Sequence, residues 1–275
     1  MTPRDLETLR GWAAAEGWNP GISDLEVAFS LDPAAFLGIR RGPELIGSLC
    51  TFRHTLGFGF MGLFFISEEL RGAGMGGDLG RAGLDLMRQR LAPAGVIGID
   101  GVFEMAPWYA SNGFVLSHRD LRFEGNCTGV HSTAVTAVTA ENLGAVLHFD
   151  AEHFETDRTG FLPSWLAAPG VHSGVLMDGD AVTGFGVLRP CERGHKIGPL
   201  FARRRQDASE ILLHLVHQAG DTFVQLDVPE VNAAGVQMAE DLGLIEAFGC
   251  ARMYFGGTPT IDWSEVYGVT SFEFG

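Results

Sequence analysis

The sequence predicts an α/β fold in which one mixed unit is built twice, and three observations carry that expectation. A chain of 275 residues has the length of two ordinary domains. Turn glycines recur at matched places in its two halves, and in each half short apolar strands alternate with stretches of helical spacing. The offset between matched glycines drifts only from 137, at Gly42 and Gly179, to 130, at Gly113 and Gly243. This is the mark of an old duplication of a unit of about 120 residues.

The first half opens on a polar segment and a helical stretch, then reaches a hairpin over residues 36–48 that turns at Gly42. The second half has its counterpart over residues 173–185, turning at Gly179, and Gly47 matches Gly184. In both, a polar-Gly turn between apolar runs is the usual signal of two paired strands. A glycine then opens a further strand in each half, Gly62-Leu63-Phe64-Phe65-Ile66 and Gly198-Pro199-Leu200-Phe201. A helix follows, then a strand ending in an acid, at Asp100 and at Asp227, and then a Gly-hydrophobic corner at Gly113-Phe114 and Gly243-Leu244. The joint falls near residues 124–140. The expected units are 1–125 and 135–258, with a tail over 259–275 whose alternation of Val266, Gly268, Thr270, Phe272 and Phe274 reads as a short terminal strand.

Charge removes several classes of partner. The formal charge is −15, from 19 basic and 34 acidic residues, which repels nucleic acid and anionic membranes. Cys50, Cys127, Cys191 and Cys250 are widely spaced and form no C-x-x-C, so neither a disulfide scaffold nor a zinc ribbon is expected, nor any other metal site. No apolar run approaches the roughly 18 residues of a membrane span, and residues 1–10 contain no apolar leader segment. A soluble, cytoplasmic protein is the expectation, with its oligomeric state open.

Chemistry concentrates in Glu69-Leu70-Arg71-Gly72-Ala73-Gly74-Met75-Gly76-Gly77-Asp78, between the strand ending at Ile66 and a helix marked by Leu79, Gly83, Leu84, Met87 and Leu91. Residues without side chains let backbone N–H groups converge on an anion, a helix N-terminus adds a favourable field, and Arg71 adds a fixed charge. The segment therefore reads as a phosphate cradle. A P-loop requires Gly-Lys-Ser/Thr, which is absent. Gly72, Gly74 and Gly77 spell the dinucleotide pattern, with Asp100 at the next strand end, so a dinucleotide-binding redox protein is a competing reading. Against it, residues 67–71 separate the strand from the glycines, and a hairpin meander precedes them.

Arg71, Gly74 and Gly76 resemble the Arg/Gln-x-x-Gly-x-Gly/Ala motif with which GNAT N-acetyltransferases bind acyl-CoA. Trp108-Tyr109-Ala110-Ser111-Asn112-Gly113-Phe114 resembles the family's second element, a helix end whose tyrosine lies beside the thioester sulfur. Glu104-Met105-Ala106-Pro107 stands where many members carry an asparagine. Gly17-Trp18-Asn19-Pro20-Gly21, Arg252-Met253-Tyr254 and the ending Phe272-Glu273-Phe274-Gly275 are similar to the tandem two-domain, YitH-like bacterial type. The resemblance implies two tandem GNAT-like domains, each a mixed, mostly antiparallel sheet flanked by helices. It implies acetyl-CoA as co-substrate and direct transfer to a primary amine of a small molecule.

On that resemblance, Phe64, Phe65 and Ile66 would hold the pantetheine arm, and Arg71, Gly72, Ala73, Gly74, Met75, Gly76 and Gly77 the pyrophosphate. Tyr109 would protonate the leaving thiolate. The strand Met61-Gly62-Leu63-Phe64 carries no carboxylate to act as base, so His54 is the candidate there, as a group that titrates near neutrality. Asn19, Asp24, Asp227 and Arg252 are the candidates for the acceptor pocket. The second half has Arg203-Arg204-Arg205-Gln206 in place of the glycine loop, so it is expected to bind no coenzyme and to wall the acceptor site. A non-catalytic acyl-CoA sensor is the alternative with the same fold.

Overall fold

Hairpin, crossover helix and returning strand occur twice along the chain, and the computed structural model, which describes residues 1–275, joins all of them into one sheet. The first half runs α1 (Pro3–Ala15), α2 (Asp24–Leu31), β1 (Phe36–Arg41), β2 (Glu44–Arg53), β3 (Phe58–Ile66), α3 (Met75–Arg90), β4 (Val96–Val102), α4 (Ala106–Ser111) and β5 (Val115–Cys127). The second repeats the order as α5 (Leu143–His153), α6 (Leu162–Leu166), β6 (His172–Asp178), β7 (Ala181–Pro190), β8 (His195–Ala202), α7 (Arg205–Ala219), β9 (Thr222–Pro229), α8 (Ala233–Asp241) and β10 (Ile245–Phe255). A short β11 (Val266–Gly268) follows. The sheet is mixed and mostly antiparallel, because only β3–β4 and β8–β9 are parallel. Each parallel pair is joined by the crossover helix that parallel strands require, α3 or α7.

The halves exchange their last strands. The order β1-β2-β3-β4-β10-β5-β9-β8-β7-β6 sets β10 of the second half beside β4 of the first, and β5 of the first beside β9 of the second. The two halves are therefore continuous in sequence but interleaved in space. Apolar periodicity fixes which face of a strand is buried and says nothing about which neighbour it pairs with, so the exchange is invisible in the sequence.

Residues 266–275 are buried throughout, although only three of them form the terminal strand. β11 pairs with β8 at Val266↔Phe201 and Gly268↔Leu200. Beyond it, Val269, Phe272 and Phe274 enter a core shared by both halves, with Leu6, Leu25, Phe36 and Phe52 from one side and Phe149, Trp165, Phe185 and Phe201 from the other. Separate clusters lie under α3 and α4 and under α7 and α8. Buried ion pairs cross the junction. Arg189 pairs with Asp24, Arg122 clamps Asp227 at 2.6 and 2.8 Å, and Arg252 clamps Asp100 at 2.7 Å through two nitrogens.

Candidate active site

β3 and β4 pair only from Phe58↔Val96 to Met61↔Ile99 and then diverge. A bulge on β3 accompanies the divergence: Cys50 faces Gly62 and Ser48 faces Phe65, so Leu63 and Phe64 together oppose Leu49. Leu63 takes the left-handed φ of 51°, and its carbonyl accepts a 2.8 Å hydrogen bond from the buried Ser48 hydroxyl, which fixes the distortion. The β4-facing edge of residues 62–66 thus has no strand partner. It opens into a cleft of about 670 Å³ that runs from the glycine loop, past Tyr109, to Trp18, Phe248, Phe272 and Glu273.

Arg71 donates through Nε to the Ile66 carbonyl at 3.0 Å, pairs with Glu16 and lies 5.3 Å over the Phe65 ring, which itself stacks on Trp12 at 4.3 Å. Gly74 caps the N-terminus of α3 with φ +86°, and a side chain added there would enter open space on the cleft side. Phe64, Phe65, Ile66, Arg71, Gly72, Gly74, Gly76 and Gly77 all line the cleft, whereas Ala73 and Met75 do not. Donors at a helix start, a fixed guanidinium and an unpaired strand edge are what a pyrophosphate followed by an amide-bearing arm would use. The dinucleotide reading fails on the same geometry, since a short helical turn over Glu68–Leu70 precedes the glycines and the sheet is not doubly wound.

Tyr109 lines the middle of the cleft at 8% exposure, with its ring against the backbone of Gly101 and edge-on to Trp108 and Phe114. Burial, with Cys250 close by, pushes its phenol well above the ordinary tyrosine value, so it stays protonated and able to donate.

His54 does not fit the role of base. It lies outside the cleft among Phe52, Phe58, Phe154 and Phe161, and its Nε2 donates to the Phe274 carbonyl at 2.8 Å. Its Nδ1 is buried without a partner. Burial, with Arg158 adding, holds the imidazole down to about 3 against the help of that carbonyl. The residue closes a core around the tail.

The acceptor candidates are likewise structural in position, and none of the four lines the cleft. Asn19 bridges the Arg193 carbonyl and Gln225 at 3.1 and 2.9 Å. Asp24 accepts from the Gly21 amide at 2.8 Å and pairs with Arg189. Burial opposes the charge on Asp227, yet Arg122 and Lys196 hold its carboxyl below the usual value. Arg252 sits among Asp100, Asp120 and Glu155. From sequence such polar residues read equally well as pocket walls or as structural partners; here Asp24, Asp227 and Arg252 form buried ion pairs and Asn19 is a half-buried hydrogen-bonding bridge.

Four residues that line the end of the cleft away from the glycine loop, Trp18, Phe248, Phe272 and Glu273, were outside the set expected from sequence. Trp18, Phe272 and Glu273 stood in segments that carried the tandem-type resemblance, but only Glu273 offered a titratable group, as an acid between two phenylalanines in an apolar ending. Asp100, which also lines the cleft, is pushed well above the carboxylate range by burial, with Asp120 adding and Arg252 opposing.

The second half has no such cleft opening. β8 and β9 pair from His195↔Val224 to Ile197↔Leu226 and then part, but β11 lies along β8 in the gap and the Val269 amide donates to the Asp227 carbonyl at 2.9 Å. The tail therefore occupies the notch that stands open in the first half. The arginines that replace the glycine loop are also engaged: Arg203 with Glu152 and Glu265, Arg204 with Asp207, and Arg205 with Asp241. A second depression, of about 730 Å³, lies between residues 130–133 and α7 and has none of these features.

Comparison with known proteins bears on the family and the fold. Residues 146–268 match the acetyltransferase (GNAT) domain model. Over 278 aligned residues, 98% of this chain and 92% of the relative, the chain is 27% identical to the holothin acyltransferase of Pseudoalteromonas sp. (strain SANK 73390). A putative acetyltransferase from Pyrococcus horikoshii has the same fold, with a TM-score of 0.83 at 23% identity, over 100% of this chain and 94% of that one. A tandem GNAT protein from the clavulanic acid biosynthesis pathway superimposes with a TM-score of 0.60 at 13% identity, covering 94% and 98%. Together these matches show an enzyme that transfers acyl groups. The chain carries a GNAT acetyltransferase domain match over residues 146–268 and has the GNAT fold in tandem form.

Proposed function

We propose that the protein is an acyl-CoA-dependent N-acyltransferase that passes acetyl, or another short acyl group, directly to a primary amine of a small molecule in a ternary complex. The observation that carries this reading is the first-half cleft, with the glycine loop at one end, the unpaired edge of β3 along its wall and Tyr109 midway. Acyl-CoA supplies the activated carbonyl. Gly72, Gly74, Gly76, Gly77 and Arg71 bind its pyrophosphate, with Ala73 and Met75 shaping the loop, and Phe64 to Ile66 bind its arm through the backbone. The same edge polarises the thioester carbonyl, and Tyr109 gives its proton to the departing thiolate.

In this reading, units 1–125 and 135–258 divide the work. The first binds the coenzyme, while the second contributes the β10 residues Phe248 and Cys250 to the cleft, and the tail 259–275 contributes Phe272 and Glu273. The work is cytoplasmic, in keeping with four unpaired, buried cysteines. No helix is long and apolar enough to cross a membrane. Incubating the protein with acetyl-CoA and a panel of primary amines, while following thiol release and the mass of the product, tests the proposal. Amine-dependent release supports it, and tight acyl-CoA binding without turnover on any amine would favour a sensor.

A further inference from the structure

β3 carries no titratable side chain between Phe58 and Ile66, and His54 is sealed in a core, so neither supplies a base to the cleft. The chain brings a carboxylate there by another route. Glu273, two residues from the C-terminus, lines the acceptor end with 2% of its surface exposed, and both of its carboxylate oxygens are buried without a hydrogen-bond partner. Burying a carboxylate unpaired is costly, and such groups in native proteins call for an explanation. The tail is held there by specific contacts. The Glu273 carbonyl lies so near Gly62 that a β-carbon on residue 62 would sit 2.3 Å from it, and the Ser271 hydroxyl accepts from the amides of Glu273 and Phe274 at 3.2 and 3.0 Å. A glycine on β3 thus admits the segment that delivers the acid.

The surroundings indicate what the acid is for. Around it in the cleft stand Trp18, Phe248 and Phe272, and the cations Arg71 and Arg81 belong to the loop end. Arg122 and Lys196 lie close enough for their charges to be coupled to Glu273, but both are committed: Arg122 to Asp227 and the Trp18 carbonyl, Lys196 to the same carbonyl at 3.1 Å. An aromatic-walled pocket ending in an unpartnered carboxylate suits an ammonium group on a flat apolar body.

We propose that Glu273 is the acceptor-side catalytic residue, binding the ammonium of the incoming amine and removing the proton that must leave before attack. This rests on the acyltransferase reading above. The carboxylate takes a proton from the ammonium and frees the nitrogen lone pair. Nitrogen bonds to the thioester carbonyl carbon, the C–S bond breaks, and the sulfur receives a proton from Tyr109. The phenol is reprotonated by the proton lost from the acylated nitrogen, and Glu273 returns its own to water as the amide leaves. One proton is released per amide formed.

The test compares wild type, Glu273→Gln and Glu273→Asp with acetyl-CoA and two probes, 2-phenylethylamine, which is cationic at neutral pH, and aniline, which is not. The expectation is that Glu273→Gln loses about 100-fold or more in kcat/KM for 2-phenylethylamine. It keeps acyl-CoA affinity within about twofold and aniline transfer, in which no proton need leave before attack, within about threefold, and Glu273→Asp recovers part of the loss. Should Glu273→Gln fail to fold, the same selective loss on the cationic amine is read from Glu273→Asp. An equal loss for both amines, or no loss for either, overturns the proposal and leaves Glu273 a counter-charge to Arg122 and Lys196. Failure of the wild type to bind acyl-CoA or to acylate either probe would instead remove the reading beneath it.

Discussion

At Tyr109 burial keeps the phenol protonated in the cleft, which suits the proton-donor role proposed for it. Tyr109→Phe is expected to lower kcat about 10²-fold, with acyl-CoA affinity within twofold by calorimetry. At His54 the same physics removes function. Its folded value, down to about 3, lies below the ordinary 6.5. The unfolded chain therefore binds a proton that the folded chain refuses across that window, and the stability His54 supports is full above 6.5 and drains away as the pH falls toward 3. Melting temperatures between pH 7 and 4 should fall more steeply for wild type than for His54→Gln, and parallel curves would show that the imidazole is not held neutral. Asp24 is predicted to matter for folding rather than for the acceptor. Removing it strands the buried Arg189, which costs about 3–5 kcal/mol. Denaturant unfolding of Asp24→Ala measures this, and a raised acceptor KM at unchanged stability would return Asp24 to the pocket.

At the scale of elements, the signals that were legible in sequence were the local ones. Gly42 and Gly179 announced the two hairpins, Ile66 and Leu79 bracketed the cradle, and residues 266–274 announced a terminal strand, of which three residues form one. Each depends on neighbours along the chain. What could not be read depends on neighbours across it: the β3 bulge at Leu63, the burial of His54 under Phe274, and the carboxylate brought to Gly62 by a tail more than 200 residues away. The glycine loop carries the most direct prediction at this scale. Gly74 has φ +86° at the α3 cap, so Gly74→Val both strains the backbone and puts a branched side chain into the anion position. Acyl-CoA affinity should fall more than about tenfold, and an unchanged calorimetric affinity would show that the loop does not hold the pyrophosphate.

Across the whole molecule, the duplication survives as two copies of one topology, but the copies have diverged in what fills their notch. In the first half the gap between β3 and β4 is an open cleft, and in the second the corresponding gap holds β11. The strand exchange binds the two fates together, since β10 of the second half forms a wall of the first half's cleft and the tail that closes one notch continues into the other. The same exchange brings Asp227 to Arg122 and Arg252 to Asp100 as buried ion pairs across the junction. The central claim is that one chain carries one coenzyme, in the first half. Isothermal titration of the full chain with acetyl-CoA, run beside Gly74→Val, tests it most directly: the account predicts a single site per chain that the substitution weakens more than about tenfold, whereas two sites per chain, or one site indifferent to Gly74, would contradict it.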